Sequence, residues 1–139
     1  MASVFQIRFD RSRQHFGNTG SAIGTISFGD CAEGFESPLQ YWGTSDYESQ
    51  WKEGVGRIAR GQESSCLIVS LTDPATANFI EWWLLYRISD NVVFRNAMLF
   101  LDGKGFDFRN PYARIVNRIY DENVSEWTLP FGSVAAFAK

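Results

Sequence analysis

Two cysteines, Cys31 and Cys66, and one histidine, His15, are all the thiol and imidazole in these 139 residues. Two cysteines in a chain of this length are too few for a secreted disulfide framework, so both are expected as free thiols. The histidine sits among Arg11, Arg13, Gly17, Asn18 and Gly20, a setting too loose for a catalytic triad, and reads as a surface residue. No Cys or His pair has zinc-ligand spacing. No apolar run approaches the roughly 18–20 residues of a membrane helix, since Glu81 and Arg87 interrupt the best candidate. Residues 1–9 lack the basic start and long apolar centre of a signal peptide. Cationic charge is also short: 13 Lys and Arg stand against 16 Asp and Glu, a net charge of −3, which disfavours nucleic acid. Gly103-Lys104-Gly105 lacks the spacing of a phosphate-binding loop and reads as a turn. These absences point to a single cytoplasmic domain over residues 1–139, with no cofactor, no metal and no legible enzyme chemistry.

Aromatics, in contrast, are plentiful, with five Trp, five Tyr and twelve Phe. Each one buried contributes roughly 1.5–3 kcal/mol by area, so a few can anchor a small core. Many lie in residues 78–101, where two apolar runs flank Ser89-Asp90-Asn91. A turn centred on Asp90-Asn91 predicts an antiparallel hairpin pairing Ile88 with Val93, Leu84 with Ala97, Trp82 with Leu99 and Ile80 with Leu101. Those residues share one face, expected in the core. Glu81, Trp83, Leu85, Arg87, Phe94, Asn96 and Met98 share the other, mixed face.

Alternation predicts strands over 4–9, 21–28 and 65–71. Residues 29–42, broken by Gly34 and Pro38, read as loop. Ser45-Asp46-Tyr47-Glu48 fits a capping box, and Tyr47, Trp51, Val55 and Ile58 then mark one helical face ending near Gly61. Gly54 and Gly56 weaken that helix by roughly 1 kcal/mol each, which suggests close packing on a sheet. Asp73-Pro74 is a turn. Asn110-Pro111 starts a second helix carrying Tyr112, Ile115, Val116 and Ile119. A short strand follows over 124–128, then a terminal helix beyond Pro130. The sum is α+β: a twisted antiparallel sheet with helices packed against it.

Between residues 30 and 53 the charge is one-sided. Asp30, Glu33, Glu36, Asp46, Glu48 and Glu53 face a single Lys52. Such a segment is a solvated acidic surface or a docking surface for a basic protein, because complementary charge speeds encounter. A competing basic cluster, Lys104, Arg109, Arg114 and Arg118, would be the footprint of a single-stranded nucleic-acid-binding module, although Asp102, Asp107, Asp121 and Glu122 balance it.

A series of motifs carries a family resemblance. It comprises Pro38-Leu39-Gln40-Tyr41-Trp42, Tyr47, Trp51, Ser70, Pro74, Asn78-Phe79-Ile80, Trp83, Leu85, Tyr86, Asn96, Phe100-Leu101 and Ser125-Glu126-Trp127. Across roughly residues 37–137 the chain resembles the immunity proteins of bacterial contact-dependent growth inhibition systems. It is most similar to the partner of an rRNA-cleaving toxin of the colicin E3 type. The resemblance implies a Whirly-like fold and a cytoplasmic monomer binding one-to-one the C-terminal toxin domain of a large surface exoprotein. It implies neither catalysis nor nucleic-acid binding. On this reading the hairpin and Trp42, Trp51, Trp82 and Trp127 are scaffold. The toxin contacts are expected at Asp30, Glu33, Glu36, Asp46, Glu48 and Glu53.

Overall fold

The computed structural model describes residues 4–10, 20–103, 105–116 and 126–138. Its order is β1 (Phe5–Phe9), β2 (Ser21–Phe28), β3 (Cys31–Pro38), α1 (Thr44–Ala59), β4 (Ser64–Ser70), β5 (Phe79–Ile88), β6 (Asn91–Phe100), a 3-10 turn (Pro111–Arg114), β7 (Glu126–Pro130), α2 (Phe131–Ala135) and a closing 3-10 turn (Ala136–Ala138). Two antiparallel sheets result, β1-β2-β3 and β4-β5-β6-β7. The chain is therefore α+β, as its pattern implied.

The small sheet lies across one face of the large one. Phe5, Ile7 and Phe9 on β1 alternate with exposed residues and point inward. Phe5 stacks on Phe94 at 4.8 Å, and Phe28 meets Trp83 at 5.3 Å and Trp127 at 5.4 Å between ring centres. Both faces of the central hairpin are thus buried near its middle. Trp83 and Phe94 meet the small sheet and Leu85 is buried on the same face, while Trp82 on the opposite face meets Phe106.

Three expectations are corrected. The hairpin register is Ile88↔Asn91, Leu84↔Arg95, Trp82↔Ala97 and Ile80↔Leu99, two residues from the one inferred. Its loop is Ser89-Asp90, with Ser89 at φ 57. Asn91 is held in the ladder opposite Pro130, and the Phe131 N–H donates to the Asp90 carbonyl. An even shift leaves every side chain on its own face, so the two face assignments stand. Residues 31–38 are strand, not loop: Gly29-Asp30 turns the chain and β3 pairs with the whole of β2. The second helix is only the 3-10 turn to Arg114, and Ile115 is already extended. Ile119 lies outside the described residues, as do His15 and residues 124–125 of the inferred 124–128 strand.

The first helix is also capped two residues earlier than expected. Gly43 is the N-cap, and the Asp46 carboxylate accepts its N–H at 2.9 Å. Its inferred inner face holds, with Tyr47, Trp51, Val55 and Ile58 all buried. This helix does more than cover the sheet: it occupies the outer edge of β4. The Gln50 amide donates to the Cys66 carbonyl (2.9 Å) and accepts from the Ile68 N–H (2.7 Å), as a neighbouring strand would. Trp51 Nε1–H donates to the Ile68 carbonyl, and the Tyr47 hydroxyl accepts from the Leu71 N–H. A strand edge otherwise open to unwanted pairing is closed by side chains.

Burial raises the Tyr47 pKa from 10.0 to about 12, against the opposing pull of its Leu71 hydrogen bond. The fold therefore favours the neutral phenol. That stabilisation is complete below pH 10 and is lost as pH rises through about 12, by roughly 3 kcal/mol at 1.36 kcal/mol per unit. Cys66 and Tyr112, also pushed up by burial, act in the same direction. Urea midpoints should be level from pH 7 to 9 and drop above 10. A midpoint still level at pH 11.5 would contradict this burial.

Candidate interaction surface

The six acids of residues 30–53 do not form one surface. Asp30 lies in the β2–β3 turn and is exposed. Glu36 points to the solvent face of the small sheet, where it accepts from the Ser21 hydroxyl. Glu33 points the other way, toward the core, and accepts from Trp127 Nε1–H. The remaining three are exposed on α1. Asp46 is tied to the N-cap, while Asp46 and Glu53 share a groove of about 320 Å³ with Trp42, Phe108, Arg109 and Tyr112. Glu53 also borders a larger groove of about 730 Å³ between α1 and α2, with Lys52, Arg60, Phe131 and Ala138. Glu48 lines neither.

Among the described residues no three His, Cys, Asp or Glu gather as metal ligands. Cys31 is a free exposed thiol and Cys66 a free buried one whose ionisation burial opposes. Of the basic cluster, Arg109 lies over the Phe108 ring at 5.1 Å and Arg114 donates to the Gly105 carbonyl. Lys104 and Arg118 fall outside the described residues. No helix among the described residues is long and apolar enough to cross a membrane.

What the residue pattern did not reveal is an apolar area at the far end of the hairpin. Phe79, Met98 and Phe100 are exposed on the face that Trp83 and Phe94 bury further along. Gly29-Asp30 between two alternating runs was the available signal for β3, and with it for where the small sheet stops.

The arrangement defines a small antiparallel α+β protein with acidic and apolar surface. The chain belongs to the family of the CdiI N-terminal domain, whose model matches residues 37–137. Immunity protein CdiI of Enterobacter cloacae subsp. cloacae is 31% identical over 118 residues, covering 81% of each chain. A chain in the solved CdiA-CT/CdiI toxin and immunity complex from Enterobacter cloacae superimposes with a TM-score of 0.85. It is 29% identical, over 97% of this chain and 96% of that one. The likeness of fold thus extends into the first 36 residues, where no motif was visible.

Proposed function

We propose that this protein is an immunity protein, which binds and neutralises the C-terminal toxin domain of a contact-dependent growth inhibition exoprotein. The observation that carries this is the full-length match to a chain from a CdiA-CT/CdiI toxin and immunity complex. It acts by occupying the toxin's active site or the path to it, one copy to one toxin domain, in the cytoplasm, with no catalytic step of its own. The toxin is a nuclease on this reading, because a protein of charge −3 with six acids on two elements suits the basic surface that handles nucleic acid. Co-production with the C-terminal domain of the exoprotein encoded beside it tests the proposal. Restored growth and a co-purifying pair are expected; toxicity unchanged by this protein would end it.

The acids need not touch the toxin all at once. Spread over the β2–β3 hairpin and α1, Asp30, Glu33, Glu36, Asp46, Glu48 and Glu53 supply a field that steers encounter. Reversing Glu36, Glu48 and Glu53 to Lys should slow association about 10-fold at low salt. The difference should shrink at high salt, where charges beyond about 8–10 Å are screened. Stopped-flow binding at two salt concentrations reads this, and equal rates at low salt would rule out steering.

A further inference from the structure

The uncovered end of the central hairpin has a definite geometry. Phe79 and Phe100 are directly paired across β5 and β6, with rings 6.2 Å apart, and Met98 lies opposite Glu81. All four share the face that buries Trp83, Leu85 and Phe94 under the small sheet. Phe79 is 42% exposed, Met98 48% and Phe100 62%, whereas Trp83, four residues along β5 from Phe79, is 2% exposed. The opposite face of this end is closed by Ile80, Trp82 and Leu101 with Phe106. One face of one end is therefore open.

That area is bordered by β3. Glu33 reaches Trp127 on β7, and the Ser37 hydroxyl donates to the Val69 carbonyl on β4, so β3 crosses the width of the large sheet. The opposite side of the small sheet is filled, because Phe137 packs on Phe5 on β1. β3 is the outer strand of its sheet. The ladder with β2, continued by the Leu39 N–H to Gly20 carbonyl bond, turns the backbone of Ala32, Gly34 and Glu36 away from β2. The result is a corner, with Phe79, Met98 and Phe100 as floor and the free edge of β3 as wall.

Two carboxylates sit in this corner, each with a neutral partner. Glu81 accepts from the Asn96 amide, and Glu33 from the Trp127 indole. A carboxylate has about four acceptor positions, so both can still receive a cation. Large exposed apolar side chains beside under-neutralised acids describe an interface with an apolar centre and a charged margin. A second copy docked corner to corner fits it poorly, since it would bring Glu33 and Glu81 against like charges.

We propose that this corner is where the toxin domain docks, with Phe79, Met98 and Phe100 packing on an apolar patch and Glu33 and Glu81 receiving Lys or Arg. The inference rests on the immunity reading above and gives it a location. It also divides the labour: the outlying acids set the rate of encounter, and the corner sets how long the complex lasts. It moves the far end of the hairpin from scaffold to contact.

The test is binding of the adjacent exoprotein's C-terminal domain to full-length Met98→Lys/Phe100→Lys, with Ile88→Lys as control. Ile88 is 45% exposed at the other end of the same hairpin. The double variant is expected to bind about 100-fold more weakly, mainly through faster dissociation, while the control stays within about threefold. Phe100→Ser, the gentler change, should weaken binding about 10-fold, and matching circular dichroism and thermal midpoints verify folding. Wild-type-like binding by folded Met98→Lys/Phe100→Lys or Phe100→Ser overturns the corner, and so does equal weakening by Ile88→Lys. A wild-type dimer in sedimentation that Met98→Lys/Phe100→Lys dissolves assigns the corner to self-association and overturns it too. Wild type failing to bind any such domain overturns the immunity reading itself, a distinguishable result.

Discussion

Replacing Trp51 with Ala is expected to cost about 3–5 kcal/mol, a large part of the roughly 5–15 kcal/mol that holds a small domain folded. The indole is 1% exposed and packs against Phe9 at 4.8 Å and Phe35 at 5.6 Å. It thereby joins α1 to the small sheet. Its Nε1–H donates to the Ile68 carbonyl at 2.7 Å, joining α1 to the large sheet as well. Truncation opens a cavity where three elements meet and leaves a buried carbonyl without that donor. Trp51→Phe separates the two effects, since it keeps most of the ring and loses the donor. It should cost about 1–3 kcal/mol, the desolvation penalty of an unmet carbonyl. Urea unfolding of the three proteins measures both. A loss under 1 kcal/mol for Trp51→Ala would mean that the helix is not held by this residue. A Trp51→Phe variant as stable as wild type would mean that the edge hydrogen bond contributes nothing.

The inner face of that helix was legible because a 3.6-residue period survives whatever the helix packs on. The same holds for the alternation of β1, β2 and β4. The start of α1 was not, since Gly43 with Asp46 and Ser45 with Glu48 are competing caps two residues apart. The chosen one depends on Tyr47 reaching Leu71 and Pro38, which are tertiary contacts. The hairpin register failed for a related reason. Pro130 and Phe131, some forty residues away, hold Asn91 and Asp90 in place. Strand β3 was hidden by composition, because its two acids and Gly34 imitate a loop. Gly34 sits on the solvent face opposite Thr25, where no side chain is required.

A loop over residues 29–42 would let the six acids gather in one patch next to a buried scaffold. As a strand, β3 separates Glu33 from Glu36 by the thickness of a sheet. It also marks where cover over the hairpin ends, a boundary that alternation within the hairpin cannot reveal. Most of the family's aromatic motifs are core, as Trp42, Trp51 and Trp83 show by their burial. Phe79 and Phe100 belong to the same motifs and are exposed, so the motif series mixes packing residues with surface ones.

Gly54→Ala and Gly56→Ala are expected to change stability in opposite directions, although both place Ala in the same helix. A Cβ at Gly54 would lie 2.3 Å from the Cys66 carbonyl oxygen and 2.8 Å from Leu67 Cδ2. A backbone oxygen in a sheet cannot step aside, so α1 must lift away from β4. Lifting stretches the paired Gln50 bonds to Cys66 and Ile68 and the Ser65 hydroxyl bond to the Gly54 carbonyl. Overpacking of this kind costs about 1–3 kcal/mol, more than the roughly 1 kcal/mol that Ala gains over Gly in a helix. At Gly56 the new methyl meets only the Arg60 guanidinium, at 2.9 Å, the far end of a flexible side chain that can swing clear. There the helical gain should prevail, raising stability by up to about 1 kcal/mol. Thermal midpoints should fall for the first variant and rise for the second; a rise for both would show that α1 tolerates a gap at the β4 edge. The distinction bears on function, because α1 in close register keeps β4 from offering a further unpaired edge. A Gly54→Ala protein that still folds but self-associates, with Gly56→Ala remaining monomeric, would show that closing this edge is the glycine's role.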